Sequence, residues 1–170
     1  MTSQTLIKLV ADGTIIPIVL IAGYALLFRI PKDQRFEAYA RILMAGLTAY
    51  LLAKLLGSVY QPAQERPFET LGLAAGASYL NNPGFPSDHA LFTAFLTFAV
   101  WFETRQKNLA IILAVLTVAL CVGRVLALVH TPLDVIGGVI VAGFGALWYL
   151  QAGKTIATTS TRKKHKKPVQ

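Results

Sequence analysis

Apolar residues run along this chain in long blocks separated by short polar stretches, without the alternation of a half-buried strand. Crossing the hydrocarbon core as a helix takes about 20 mainly apolar residues. Five blocks approach that length, at about 9–28, 38–60, 88–104, 109–129 and 133–150. The pattern predicts an all-α protein, a polytopic membrane helix bundle with about five transmembrane helices, and shows no internal repeat. The first block opens with polar Asp12 and Thr14, and its basic neighbours Arg29, Lys32, Arg35 and Arg41 follow the apolar run. A cleavable signal has its basic residues first, so this block is expected to remain as an anchor. Gly137, Gly138, Gly143 and Gly145 in the last block are expected to let helices approach closely.

Composition points the same way. The chain is 55% hydrophobic and 14% charged, whereas a soluble domain carries roughly 25% charged residues. Its 16 Lys and Arg against 8 Asp and Glu give a net charge of +8. Arg162, Lys163, Lys164, Lys166 and Lys167 supply much of that excess, so it does not call for a nucleic-acid partner. Residues 154–170, rich in Thr, Ser and Lys, read as a basic, disordered tail behind a membrane domain of residues 1–153, with membrane lipid as a neighbour. The single cysteine, Cys121, forms no disulfide framework, and Ala119, Leu120 and Val122 around it predict an inert thiol.

Short loops rich in Lys and Arg stay cytoplasmic. Residues 29–41, residues 105–108 and the tail fall on one side if the N-terminus is outside and the C-terminus cytoplasmic. The connection 61–87 and the turn 130–132 then lie outside, with Arg66 as their only Lys or Arg. Charge inside a span costs about 2.5–3.5 kcal/mol at the bilayer centre and calls for a partner, a wet site or a route to the interface. Asp12, Lys54, Asp88, Arg124 and Asp134, with Arg66, His89 and His130 in or beside loops, all belong to the outer half on this topology. Singly, Lys54 and Arg124 can be explained by snorkelling. Together, the eight ionisable groups read as a site.

Three stretches carry the chemistry. In Gly84-Phe85-Pro86-Ser87-Asp88-His89-Ala90, Ser87 is placed to cap the third helix, whose N-terminus is also an anion site with His89 beside it as a proton donor. In Arg124 to Asp134, Thr131, Pro132 and Asp134 read as N-cap, first and third residues of the last helix. Capping does not account for His130 and Arg124. A carboxylate beside an imidazole holds one ring N–H and frees the other nitrogen to attack, and an arginine offers a planar fork to phosphate oxygens. Arg66-Pro67, alone a solvated loop arginine, gains meaning from its place at the outer end of the second block.

At these residues the chain resembles the type 2 phosphatidic acid phosphatase superfamily, whose pattern is Lys-x6-Arg-Pro, then Pro-Ser-Gly-His, then Ser-Arg-x5-His-x3-Asp. Arg66-Pro67, Pro86-Ser87-x-His89 and Arg124-x5-His130-x3-Asp134 match in order and spacing. Phe85 to His89 and His130 to Asp134 further resemble the bacitracin-resistance-type undecaprenyl-diphosphate phosphatases. The chain departs at three places: Val59 stands where the pattern has lysine, Lys54 being the nearest; Gly123 replaces the serine before Arg124; and Asp88 replaces glycine.

The resemblance implies an integral lipid phosphatase of the cell (inner) membrane, with its active site facing the exterior. His130 is then the nucleophile, Asp134 its orienting acid and His89 the general acid. Arg66, Ser87 and Arg124 hold phosphate oxygens, with Lys54 as a further donor. No metal and no cofactor is expected, since arginines supply the positive charge and no carboxylate cluster has metal-ligand spacing. The implied substrate is a polyprenyl or phospholipid phosphate, undecaprenyl diphosphate in the narrower resemblance, with Leu71 to Gly76 lying along the interface. Phosphatidylglycerophosphate or phosphatidate hydrolysis, and lipid phosphotransfer, fit the same residues. A non-catalytic carrier or scaffold is the reading from another class.

Overall fold

The computed structural model describes residues 2–60, 66–80, 82 and 84–164, with side-chain surroundings as far as Leu150. Helix α1 (Ser3–Lys8) passes through a π turn (Leu9–Gly13) into α2 (Ile15–Phe28), and a 3-10 turn (Lys32–Gln34) leads to α3 (Arg35–Val59). In the long connection that follows, α4 (Pro67–Thr70) is a single turn. Helices α5 (Asp88–Glu103), α6 (Lys107–Leu126) and α7 (Pro132–Lys164) complete the chain, with no strand among the described residues.

Four helical stretches are long and apolar enough to cross a membrane: Ser3–Phe28, Lys32–Val59, Lys107–Leu126 and Pro132–Leu150. The expected fifth span, 88–104, forms α5, which has 16 residues and does not reach that length. Its rise of about 24 Å falls short of a hydrocarbon core of about 30 Å. The physical reason is its place: α5 packs against α2, α3, α6 and α7, so protein covers most of it, Phe92, Trp101 and Phe102 remaining exposed, and it needs no unbroken apolar surface. Thr93 and Thr97 accordingly sit in its interior, each hydroxyl donating to the carbonyl four residues back. Helix α7 runs through residue 153, where composition divides domain from tail, and ends at Lys164.

Small residues bring the helices together. Ile18, Ala22 and Ala25 of α2 meet Val100 of α5 and Ala110, Leu113 and Leu120 of α6. Ala45, Ala49 and Ala53 line one face of α3 against Ala99, Val141 and Ala146. The outward faces are the reverse: Leu20, Leu27, Leu51, Leu55, Val115 and Ile140 are each more than half exposed, a surface suited to lipid and not to water. At one end of the bundle Arg41 donates both Nε and Nη2 to Glu103, each at 2.7 Å, which pairs two charges that the apolar surroundings would not otherwise carry. The termini of α5 and α7 that bear the sequence motifs lie at the other end.

Candidate active site

The site is assembled where the connection after α3 folds over the α6–α7 turn. Phe68 N donates to Leu128 O at 3.0 Å, and Gly76 N donates to Ala127 O at 3.1 Å. The turn itself reverses through Leu128, whose φ of 60° is unusual for a branched side chain and is held by these bonds. Arg66 begins α4 in a capping arrangement, its backbone N donating to Glu69 Oε2 at 2.7 Å. Beneath this cover Phe68, Ala77, Ala127, Val129 and Ala11 form a small apolar cluster that keeps water from the turn. On the other side Ser87 N donates to Asp134 O at 2.9 Å, tying the start of α5 to the start of α7.

Five of the eight ionisable residues singled out in the sequence, Arg66, Asp88, His89, Arg124 and His130, line one void together with Leu80, Asn82, Gly84 and Pro86. They come from four separate segments. The void measures about 20 Å³, close to the least that holds one water. Arg66, Arg124 and His130 are all buried.

Arg66 is braced: Nη1 donates to Val129 O at 2.6 Å, and Nη2 donates to Leu80 O at 2.8 Å and Asn82 Oδ1 at 2.7 Å. Its guanidinium also lies over the Tyr79 ring. Burial lowers its pKa, yet a guanidinium stays charged. Gly84 passes under that group with a φ of 87°, a left-handed conformation that suits glycine. Arg124 donates from Nη1 to Asp12 Oδ1 at 3.0 Å, while its Nε is buried without a hydrogen-bond partner.

His130 Nδ1 stands 3.5 Å from Asp134 Oδ2 and makes no hydrogen bond. A shift of about 0.5 Å closes that contact to an ordinary hydrogen bond. The same Oδ2 accepts from Thr131 N at 2.7 Å, and Asp134 N donates to Thr131 Oγ1 at 3.2 Å, so Asp134 caps α7 and faces the imidazole with one oxygen. Burial lowers the His130 pKa from its ordinary 6.5, and the positive charges of Arg124 and Arg66 act in the same direction. The ring is therefore neutral at neutral pH, with a lone pair on one nitrogen.

The remaining candidates stand outside the lining of the void. Ser87 is fully buried, and its hydroxyl accepts from Ala90 N at 3.4 Å as the N-cap of α5. Lys54 Nζ lies 3.8 Å from Asp88 Oδ1 and borders a second pocket of about 250 Å³ that shares Asn82, Pro86 and Asp88 with the first. Asp88 thus has a cationic neighbour. Residues 61–65, which precede Arg66, lie outside the described residues.

Sequence reasoning missed Asn82 and Leu80 as braces of Arg66, and a backbone carbonyl leaves no sequence signal. It counted Asp12 among the outer charges without naming its partner. An apolar groove of about 570 Å³ runs between α5, α6 and α7, bordered by Phe98, Val118, Cys121, Leu126, Pro132 and Ile136. Leu126 and Pro132 bracket the turn that carries His130. Among the described residues no three His, Cys, Asp or Glu side chains gather as a metal site.

A helical bundle with apolar outward faces, carrying two arginines and two histidines around one void at its end, fits a membrane protein that handles an anion. The model of the PAP2 superfamily matches residues 36–157, most of the chain, and the chain belongs to that family. Membership suggests a phosphatase-type hydrolase acting on lipid phosphates. No curated protein and no solved structure matches the chain.

Proposed function

We propose that the protein hydrolyses undecaprenyl diphosphate to undecaprenyl phosphate through a phosphohistidine intermediate, at the outer face of the cell membrane. The observation that carries this reading is the gathering of Arg66, Arg124, His89 and His130 around one void. The neutral imidazole of His130 attacks the terminal phosphorus. The P–O bond to the bridging oxygen breaks, and that oxygen takes a proton from His89; burial lowers the His89 pKa to about 4, so this ring takes up its proton together with the phosphate, whose negative charge offsets the neighbouring arginines. His89 then takes a proton from water, which attacks the phosphohistidine, releases orthophosphate and restores the imidazole. Asp134 stabilises the imidazolium-like ring while it carries the phosphoryl group.

Arg124 and Arg66, with the N–H groups at the start of α5, meet the charge that spreads over the equatorial oxygens. Lys54, which borders the adjoining pocket, is assigned in this reading to the second phosphate of a diphosphate. The apolar groove that begins at Leu126 and Pro132 suits the hydrocarbon chain of a lipid whose headgroup occupies the void.

Purified protein is expected to release phosphate from undecaprenyl diphosphate in the presence of a chelator, and His130→Ala is expected to abolish release while leaving the protein folded. Full activity in that variant removes the nucleophile from the scheme, and a requirement for magnesium contradicts it. A strong preference for phosphatidate moves the substrate within the family, and transfer to an acceptor lipid in place of water makes the protein a phosphotransferase. A reporter fused after Gln170 is expected to read as cytoplasmic.

A further inference from the structure

We propose that Asp12 is the positioning residue of Arg124, holding one edge of its guanidinium so that the Nε edge faces the phosphate, and that Gly123 is what lets Asp12 reach it. The inference rests on Arg124 being a phosphate donor, as in the function proposed above. Arg124 is almost completely enclosed, at 1% exposure, and Nη1 is its bond to Asp12. Nε is left buried with no partner on a side chain that lines the void. A buried donor without a partner is costly, and at a site it marks where a ligand oxygen belongs. Asp12 is itself fixed from behind: Ser78 N donates to Oδ2 at 3.0 Å and Ser78 Oγ donates to Oδ1 at 2.9 Å. The carboxylate therefore links the first helical stretch, the connection over the site and α6.

Two features of the chain make this contact possible. Asp12 lies in the π turn Leu9–Gly13, whose extra residue per turn shifts the side chains relative to a regular helix, a device common at functional sites. That turn lies directly on α6 at Gly123. A Cβ there would stand 2.9 Å from Ala11 N and 3.0 Å from Ala11 Cα, so no side chain fits without pushing the turn away. The serine of the superfamily pattern is thus replaced by glycine at the position where the Asp12 segment needs the space.

The test is the affinity of the intact protein for inorganic phosphate, read from the phosphate-dependent rise in melting temperature, which does not depend on turnover. Asp12→Ala is expected to weaken phosphate binding by about tenfold. Removing a negative charge beside an anion site would by itself tighten binding, so unchanged or tighter binding overturns the proposal. Gly123→Ala, which leaves every charge in place and displaces only the turn, is expected to weaken it in the same way. It decides the matter if Asp12→Ala does not fold. In an Arg124→Ala background neither change should weaken binding further, Asp12→Ala there leaving only the tightening that loss of a negative charge brings, whereas additive losses would show that Asp12 acts independently and sink the proposal. If Arg124→Ala itself leaves phosphate affinity intact, it is the role of Arg124 in the proposed function that fails.

Discussion

Gly138 is where the helix starts that carry the site are pressed together, and Gly138→Ala tests how far the chemistry depends on that contact. A Cβ at 138 would stand 2.6 Å from Ser87 O and 2.9 Å from Leu91 N, both backbone atoms that no rotamer change can move. Ordinary contact begins near 3.4 Å, so α7 and the start of α5 must part by roughly 0.8 Å. That movement stretches the 2.9 Å bond from Ser87 N to Asp134 O and separates the His89 segment from the His130 segment. Overpacking of this kind costs about 1–3 kcal/mol, and a misplacement of about 1 Å between reacting groups costs about a hundredfold in rate.

Gly143→Ala is the control on the same helix: its Cβ meets nothing within 4 Å, and helix propensity favours alanine by up to about 1 kcal/mol. Phosphate release from the lipid diphosphate and thermal unfolding in detergent are the assays. The expected result is a lower kcat and a lower Tm for Gly138→Ala, with both unchanged or raised for Gly143→Ala. A Gly138→Ala enzyme with full kcat and Tm would refute the claim that this approach sets the geometry of the site.

Two further outcomes follow from the charges. Burial holds the His130 pKa below 6.5, so the proposed nucleophile stays neutral until the pH falls beneath that value, and the acid limb of kcat/KM is expected below 6.5. An acid limb above it would contradict the buried, neutral imidazole. The unfolded chain binds this proton more tightly than the folded one, so His130 also withdraws stability as the pH falls through 6.5 toward the folded value, which pH-dependent unfolding measures. At the other end of the bundle, Glu103→Gln keeps the shape and removes the charge that pairs Arg41 through two 2.7 Å bonds. The remaining contact to Glu37 is 3.7 Å on an exposed side chain. A loss of about 3 kcal/mol is expected, seen as a lower Tm, with phosphate affinity untouched because the pair is remote from the void.

Amino-acid order alone determined the helical class, because apolar blocks of membrane length admit no other structure that satisfies the backbone in lipid. It also named Arg66, His89, Arg124 and His130: Arg124 stands out because charge in an apolar block is expensive, and the other three through the short motifs at the ends of the blocks. It predicted the reciprocal Thr131–Asp134 cap, a local matter of two positions three apart.

Only the tertiary structure decided the rest. The length of α5 is tolerable because four neighbouring helices cover most of it, which hydropathy does not record. The bracing of Arg66 rests on carbonyls of residues 80 and 129, and every residue type offers the same carbonyl. The pairing of Asp12 with Arg124 joins positions 112 residues apart, through a π turn lying on a bare glycine. Periodicity and local motifs follow from the chemistry of adjacent residues. Which oxygen faces which nitrogen across the bundle follows from how closely two backbones approach, and that distance is set only when all the helices have packed.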